Sequence, residues 1–316
     1  MFGQNEIVGK KFFKGTPPQT ILMTSMFFTL QGEGPFRGEP AYFTRFTKCN
    51  LACSFCDTFF DKGDSLTFSQ ICTRIDNDLK AFFAKQGCEV PEWAKFYQGV
   101  ILDDGEEVPE GRELVPGTRL VAPKKRKMAL VITGGEPMLQ ANITDYCKEM
   151  LLQFDKVQIE SNGILMQGLP DAVTLVCSPK CAEKDGVPTA YLKPNPAMLE
   201  RANCLKFVMN AIHGSPYSRV PAWAHDWAEN TGRQVFISPM NVYNEMPHAA
   251  KMLRAKKQGN EITLEERSTV DEVVSFWEDG LLDMKANRLN HEYAAKYAIT
   301  HGFVFNVQAH LLASVA

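Results

Sequence analysis

The sequence predicts an α/β fold in which a parallel sheet has helices on its outer side. Short apolar runs typical of buried strands alternate along the chain with longer stretches of helical periodicity. Such alternation is typical of parallel sheets whose crossovers are helices. Five polar motifs also lie at the carboxyl ends of predicted strands, where α/β barrels place their active sites. They are Cys49–Cys56, Thr133–Pro137, Glu160–Gly163, Ser178–Lys180 and Ser238–Asn241.

The predicted elements follow one another in a regular order. The apolar runs that predict strands cover residues 41–46, 129–133, 157–160, 173–177, 205–209, 235–237 and 303–307. The helical stretches cover residues 69–84, 143–154, 217–230, 270–284 and 287–300. Two segments interrupt the alternation, near 87–127 and 245–268, and both are polar or rich in Gly and Pro. We interpret them as surface insertions in a single domain spanning 1–316, and the basic run Lys124–Lys127 as a solvated loop.

Composition narrows the classes of function. The chain has 316 residues with a formal net charge of −3, which gives no electrostatic basis for binding nucleic acid or an anionic membrane. No apolar run approaches the roughly 20 residues of a transmembrane helix, and residues 1–14 lack the apolar core of a signal peptide. Nine cysteines in a chain of this length suggest a reducing compartment. We therefore expect a cytoplasmic protein without membrane or nucleic-acid partners.

The most informative motif is the spacing C-x3-C-x2-C formed by Cys49, Cys53 and Cys56, with Phe55 before the last cysteine. Three thiolates at this spacing can hold three irons of a [4Fe–4S] cube and leave the fourth iron open. A zinc site is the alternative, but zinc usually takes a second Cys or His pair. The C-x3-C of Cys177 and Cys181 is a weak second pair, and the preference for the cluster over zinc also depends on the motifs that follow in the chain.

The second motif is Thr133-Gly134-Gly135-Glu136-Pro137, which follows the apolar run 128–132. Two glycines at the end of a strand let the backbone approach a ligand closely. The carboxylate of Glu136 can accept hydrogen bonds from an ammonium group. Taken alone, the motif is equally typical of a simple turn.

Together the two motifs resemble the signature of the radical S-adenosylmethionine (SAM) enzymes. The resemblance implies a partial (β/α)6-type radical SAM barrel, open on one side, in which a reduced [4Fe–4S] cluster cleaves SAM to a 5'-deoxyadenosyl radical. It implies that Phe55 lies near the adenine of SAM. The other implied SAM contacts are Gly134, Gly135, Glu136, Ser161, Ser178, Lys180, Ser238 and Asn241.

Further segments resemble the 7-carboxy-7-deazaguanine synthase family. They are Phe28–Pro35 and Pro40–Phe46 before the cysteines, Asp57-Thr58 after them, and Asn306–His310 with its Gln-x-His pattern. The resemblance implies a ring contraction of 6-carboxy-5,6,7,8-tetrahydropterin to 7-carboxy-7-deazaguanine with release of ammonia, in deazapurine (queuosine-type) biosynthesis. It also implies a homodimer, a flavodoxin- or ferredoxin-type electron donor, and SAM acting as a reusable cofactor.

The residue chemistry agrees with a carboxylated pterin as substrate. Gln31 both donates and accepts hydrogen bonds, Glu33 only accepts, and the guanidinium fork of Arg45 suits a carboxylate. A polar turn and a surface ion pair are the alternatives for these residues. The resemblance implies that Thr58 is a ligand of Mg²⁺ and that the substrate is bound by Leu30, Gln31, Gly32, Glu33, Arg45 and His310. Many relatives carry Thr at position 161 and Gln at position 238, so the sequence departs from the family there.

Two other functions remain open from the sequence. A glycyl-radical activase, such as the activator of anaerobic ribonucleotide reductase, shares the cysteine motif and GGEP. It should lack the segment Leu30–Gly34 and the Gln-x-His pattern. A catalytically inactive relative would bind a partner through its insertions, but the intact cysteines, Gln31, Glu33 and Thr58 argue against that.

Overall fold

The computed structural model of the chain describes residues 7–9, 16–58, 60–97, 124–244, 254–258, 261–265 and 282–309. Its strands are β1 (Thr20–Leu30), β2 (Pro40–Phe46), β3 (Asp64–Thr67), β4 (Arg126–Gly134), β5 (Phe154–Ser161), β6 (Thr174–Cys177), β7 (Cys181–Lys184), β8 (Val187–Tyr191), β9 (Cys204–Met209), β10 (Val235–Pro239), β11 (Arg254–Gln258), β12 (Glu261–Glu265) and β13 (Val304–Phe305). Its helices are α1 (Phe68–Lys85), α2 (Ile143–Gln153), α3 (Pro196–Arg201), α4 (Ala222–Thr231) and α5 (Met284–His301).

A central sheet of nine strands has the order β13-β10-β9-β6-β5-β4-β2-β1-β3. From β2 to β13 each strand is parallel to its neighbour, and these strands follow one another in chain order across the sheet. Strands β1 and β3 add an antiparallel edge. The structure therefore confirms the predicted α/β fold with a mostly parallel sheet, and the carboxyl ends of its parallel strands lie along one edge.

The two faces of the sheet have different chemistry. Helix α1 packs five apolar side chains at helical spacing against one face, and it begins with a capping box formed by Thr67 and Gln70. On β5, Val157 and Ile159 join this main apolar core. The alternating residues Gln158 and Glu160 hydrogen-bond to each other on the opposite face. Polar side chains therefore collect on the face that the main core leaves uncovered.

Most predicted strands and helices overlap the observed ones, but two predictions need correction. The helix predicted over 217–230 begins later, at Ala222, because Pro221 occupies its N-cap and a short 3-10 turn, Pro216–Ser218, precedes it. In the predicted solvated loop, Arg126 is buried at the start of β4. Its guanidinium bonds Asp76 at 2.5 Å and Gln153 at 2.9 Å. An ion pair and an amide acceptor thus compensate for its burial.

Parts of other predictions lie outside the described residues. The predicted helix over 270–284 falls almost entirely outside them. Of the first insertion, the described part includes a 3-10 turn, Glu92–Ala94, and a β-bridge between Tyr97 and Lys124. Of the second, it includes the antiparallel pair β11 and β12. Among the helices that the structure describes, none has the length and apolar character needed to cross a bilayer.

Candidate active site

A cleft opens at the carboxyl ends of the parallel strands, on the face opposite the main core. The structure brings together here fourteen of the predicted site residues, drawn from segments far apart in the sequence. They are Gln31, Glu33, Arg45, Cys49, Cys53, Phe55, Cys56, Thr58, Gly134, Gly135, Ser161, Ser178, Lys180 and Asn241. Four predicted residues, Leu30, Gly32, Glu136 and Ser238, do not line the cleft. His310 lies outside the described residues.

The three cysteines of the motif line one end of this cleft on the loop that follows β2. Within the loop the backbone N–H of Cys56 donates to the carbonyl of Cys53 at 3.1 Å. All three thiols are free of disulfides. Among the described residues, no three His, Cys, Asp or Glu side chains converge on one metal position. A [4Fe–4S] cube needs no such convergence, because each thiolate binds a different iron.

Burial controls the protonation of these thiols. It raises the pKa of Cys49 to about 12 and that of Cys56 to about 11, with nearby Glu136 and Asp57 adding to the respective shifts. Burial also raises the pKa of Cys53, while the ammonium of Lys180 opposes that shift. Thiolates become favourable in such a site when cations bind to them. Soft thiolate donors in a buried setting fit the iron of a cluster.

The cysteine loop is held from outside by the hairpin of β7 and β8. The carboxylate of Glu183 accepts a hydrogen bond of 2.8 Å from the backbone N–H of Ser54, which lies between Cys53 and Cys56. The other oxygen of Glu183 accepts from the hydroxyl of Tyr217 at 3.2 Å. The ring of Tyr217 meets that of Phe55 edge-on, with centroids 5.0 Å apart. Sequence analysis missed this support, because Glu183 belongs to no recognisable motif.

Gly134 ends β4 and Gly135 follows it, and both are packed closely against backbone. A Cβ on Gly134, whose φ is +116°, would lie 2.1 Å from the backbone nitrogen of Phe46. A Cβ on Gly135 would lie 1.8 Å from the carbonyl oxygen of Lys48. The N–H of Gly135 donates to Phe46 at 2.9 Å, and that of Glu136 donates to Lys48 at 2.8 Å. The glycines therefore let β4 pack against the backbone that leads into the cysteine loop.

Glu136 was predicted to contact SAM; it is 1% exposed and does not line the cleft. Its carboxylate accepts hydrogen bonds from the N–H of Met138 at 3.0 Å, the hydroxyl of Ser161 at 2.8 Å and the N–H of Asn162 at 2.7 Å. These bonds join the end of β4 to the end of β5. In this structure the carboxylate fixes the walls of the cleft, and its contact with SAM stays a prediction from the sequence.

Arg45 and Thr58 lie side by side in the cleft. The guanidinium of Arg45 donates from Nη1 to the hydroxyl oxygen of Thr58 at 2.7 Å. The hydroxyl of Thr58 donates in turn to the carboxylate of Asp57 at 3.2 Å. The Nε atom of Arg45 is buried, and no described group accepts its hydrogen bond. A buried N–H without a partner is costly, so this donor suits an anionic group bound in the cleft.

The cleft contains a second polar cluster, and only two of its four residues were predicted from the sequence. Gln31 and Glu33 meet Glu160 and Lys206, which sequence analysis did not assign to the substrate site. The ammonium of Lys206 bonds Glu33 at 2.8 Å and Glu160 at 2.6 Å. Burial lowers the pKa of Lys206, but the two carboxylates outweigh it and raise the pKa above its usual range. This lysine is therefore charged at neutral pH.

The remaining predicted residues occupy the wall formed by β6, β10 and the chain's last segment. The ammonium of Lys180 donates to the carbonyl of Ser178 at 2.7 Å and to its hydroxyl at 2.6 Å. Asn241 donates to the side chain of Gln308. Ser238 is buried behind the wall, 3.5 Å from the amide nitrogen of Asn306. Gln308 of the Gln-x-His pattern thus reaches the cleft, although His310 is not described.

The chain is similar to several known proteins. No family model matches the chain. A crystal structure of QueE from Escherichia coli aligns with 92% of this chain and 94% of that chain, with a TM-score of 0.47 and 17% identity. A 7-carboxy-7-deazaguanine synthase of Rhodospirillum rubrum is 28% identical over 224 residues, which cover 70% of this chain and 71% of the relative.

A second curated relative is more similar in sequence. It is the 7-carboxy-7-deazaguanine synthase of Rickettsia prowazekii, which is 34% identical over 227 residues, covering 68% of this chain and 77% of the relative. Identity at this level over this share of both chains shows common descent and a common fold. The chain therefore belongs to the 7-carboxy-7-deazaguanine synthase family of enzymes.

Proposed function

We propose that this enzyme converts 6-carboxy-5,6,7,8-tetrahydropterin to 7-carboxy-7-deazaguanine and ammonia, in deazapurine (queuosine-type) biosynthesis. One observation carries the proposal: a single cleft gathers the cysteine loop, the strand-end motifs and the Gln31–Glu33 segment. Similarity to curated synthases over two thirds of the chain supports it. The reaction contracts the ring and consumes no SAM overall.

The thiolates of Cys49, Cys53 and Cys56 would hold a [4Fe–4S] cluster. When bound, cluster and SAM supply the radical that removes hydrogen from the substrate. The wall that carries Ser161, Ser178, Lys180 and Asn241 offers hydroxyl, ammonium and amide groups to the polar parts of SAM. Gly134 and Gly135 offer bare backbone, and Phe55 offers an aromatic ring for the adenine. The contact with Glu136 predicted from sequence is not part of this proposal.

The opposite part of the cleft would bind the pterin. Arg45 would hold the carboxylate of the substrate, and Thr58 would supply one oxygen to Mg²⁺, which usually keeps several waters and few protein ligands. Gln31 and Glu33 would bind the amide and amino edge of the ring, with Leu30, Gly32 and His310 completing the pocket. By fixing the substrate at both ends, these residues orient its reacting carbon toward SAM.

Family membership also supports a proposal about the domain organisation, localisation and partners of the enzyme. We expect the chain to act as one domain, with the segments near 87–127 and 245–268 as insertions. We also expect a cytoplasmic homodimer that receives electrons from a flavodoxin or ferredoxin. Native mass spectrometry and reduction assays with each donor would test these expectations.

The central test is an anaerobic assay with purified protein reconstituted with iron and sulfide. SAM, a reductant, Mg²⁺ and 6-carboxy-5,6,7,8-tetrahydropterin are added, and 7-carboxy-7-deazaguanine is measured by mass spectrometry. We expect product only when cluster, SAM and substrate are all present, and none from a Cys53→Ala variant. Cleavage of SAM without this product would favour the activase function. Failure to cleave SAM would favour an inactive, binding relative.

A further inference from the structure

The most deeply buried charge pairing in the cleft involves a lysine that no motif predicted. Lys206 lies on β9, between the neighbouring strands β6 and β10, and its side chain is 6% exposed. Its ammonium bonds two carboxylates, Glu33 at 2.8 Å and Glu160 at 2.6 Å, each of which is 13% exposed. One cation thus joins the loop after β1 to the end of β5.

The two carboxylates form the acceptor surface of this end of the cleft. Glu160 also accepts from Gln31 at 3.3 Å and from Gln158 at 2.9 Å. The side-chain amide oxygen of Gln31 accepts a hydrogen bond of 3.3 Å from the backbone N–H of Glu33. The network therefore connects Glu160 to Gln31 and Glu33, the two residues proposed to bind the ring edge. Among the described contacts, Lys206 supplies its only ammonium group.

The two carboxylates around Lys206 indicate the role of its positive charge. Two carboxylates that share one ammonium repel each other, so loss of that cation would push them apart and disturb their positions as acceptors. The other buried lysine of the cleft, Lys180, is bonded to Ser178 and cannot replace it without leaving that position. In the part of the chain that the structure describes, Lys206 is the ammonium group that bonds both Glu33 and Glu160.

We infer that Lys206 is a positioning residue for substrate recognition, which fixes Glu33 and Glu160 as paired acceptors for the N–H groups on the pyrimidine edge of the substrate. This inference rests on the proposed function, because it takes the pterin as the ligand. The carboxylate oxygens of Glu33 and Glu160 match a ring edge that donates N–H bonds. The carboxylate of the substrate would then bind Arg45, which lines the same cleft.

The test compares the Lys206→Met and Lys206→Arg variants with the wild type and with Lys156→Met as a matched control. Lys156 pairs with Glu39 but is 41% exposed and lies outside the cleft. Affinity for 6-carboxy-5,6,7,8-tetrahydropterin is measured by anaerobic calorimetry in the presence of SAM, and KM and kcat are measured by product formation. Iron content and SAM cleavage without pterin are measured in parallel.

We expect Lys206→Met to raise Kd and KM by about 10- to 100-fold with a smaller change in kcat, because removing one partner leaves a buried carboxylate pair uncompensated. Lys206→Arg should recover most of the affinity, and Lys156→Met should behave as wild type. Iron content and SAM cleavage should not change. Wild-type Kd and KM in Lys206→Met would overturn the inference.

Two further results keep the inference separate from folding and from the proposed function. If Lys206→Met does not fold, the double variant Lys206→Met/Glu160→Gln restores the charge balance. Weak pterin binding by that folded variant would support the inference, and wild-type binding would overturn it. A wild-type enzyme that cleaves SAM but neither binds nor converts the pterin would overturn the proposed function, and this inference with it.

Discussion

The guanidinium of Arg45 and the hydroxyl of Thr58 are joined by a hydrogen bond of 2.7 Å. Arg45 lies on β2 and Thr58 lies two residues after Cys56, so this bond connects the proposed substrate pocket to the cysteine loop. We proposed that Arg45 binds the carboxylate of the substrate and that Thr58 is a ligand of Mg²⁺. Because the two groups are adjacent, a single carboxylate can contact the metal and the guanidinium together.

Replacement of Arg45 by lysine tests this arrangement. Lysine keeps the positive charge but loses the planar fork and the buried Nε donor, so it cannot bind a carboxylate and Thr58 together. We expect the KM for the pterin to rise about 10- to 100-fold. Cleavage of SAM in the absence of pterin should stay at the wild-type rate.

The matched control is Arg74→Lys on α1, where the arginine pairs with Asp78 at the surface and is 37% exposed. Steady-state kinetics of all three proteins should show the KM effect in Arg45→Lys alone. An unchanged KM in Arg45→Lys would remove this residue from the substrate site.

A second prediction concerns the packing of Gly135. An alanine Cβ there would overlap the carbonyl oxygen of Lys48, which is backbone and cannot move aside like a flexible side chain. We expect Gly135→Ala to lower the free energy of unfolding by about 3 kcal/mol and to reduce iron uptake, because the overlap displaces the segment before Cys49. Denaturant unfolding of the apoprotein and iron analysis after reconstitution measure the two effects.

Gly168→Ala is the control for this prediction, since no heavy atom lies within 4 Å of a Cβ at that position. It should unfold like the wild type and take up the same amount of iron. Equal stability of Gly135→Ala and Gly168→Ala would contradict the packing argument.

The sheet and much of the cleft could be predicted from sequence because their signals are local. The run Met128–Ile132 is apolar on both faces, which is the pattern of a strand covered on both sides, and it forms most of β4. The cysteine spacing and the segment Gln31–Glu33 are likewise contiguous. Once consecutive parallel strands are neighbours, their carboxyl-terminal motifs must lie at one edge of the sheet.

Residues that act through distant partners could not be predicted in this way. Lys206 looks like an ordinary polar residue of a strand, and its partner Glu33 is 173 positions away in the chain. The hydrogen bonds of Glu136 to the end of β5 were not predicted for a similar reason, because Ser161 and Asn162 are distant in the sequence. Such roles depend on which strands become neighbours, and a single sequence does not encode that locally.

The burial of Arg126 leads to a third prediction. The guanidinium bonds Gln153 and Asp76 and lies over the rings of Phe96 and Phe154, with centroid distances of 5.3 and 5.1 Å. Arg126→Ala leaves a cavity and a buried amide oxygen without its partner, so we expect a loss of about 2–4 kcal/mol in the free energy of unfolding.

Lys127→Ala, at the exposed neighbouring position on β4, should change the free energy by less than about 0.5 kcal/mol. Denaturant titrations of both variants measure the difference. If both variants unfold at the same denaturant concentration, Arg126 contributes no more to the free energy of unfolding than an exposed residue. That result would favour the solvated loop predicted from the sequence.

The last prediction concerns Glu183, whose carboxylate holds the cysteine loop at the N–H of Ser54. This bond lies between Cys53 and Cys56, two of the proposed cluster ligands, so its loss should let their thiolates move apart and release iron more readily. Groups that orient metal ligands from outside typically contribute 10- to 100-fold in metal affinity. We therefore expect Glu183→Ala to lose its cluster to a chelator about ten times faster than the wild type, whereas Glu183→Gln should lie between the two, because its amide oxygen still accepts from Ser54.

Glu229→Ala, which removes an exposed carboxylate on α4, provides the comparison. Visible absorbance and bound iron, followed over time under anaerobic conditions, report cluster loss without any turnover. Loss from Glu183→Ala at the wild-type rate would mean that the cysteine loop keeps its shape without the hairpin.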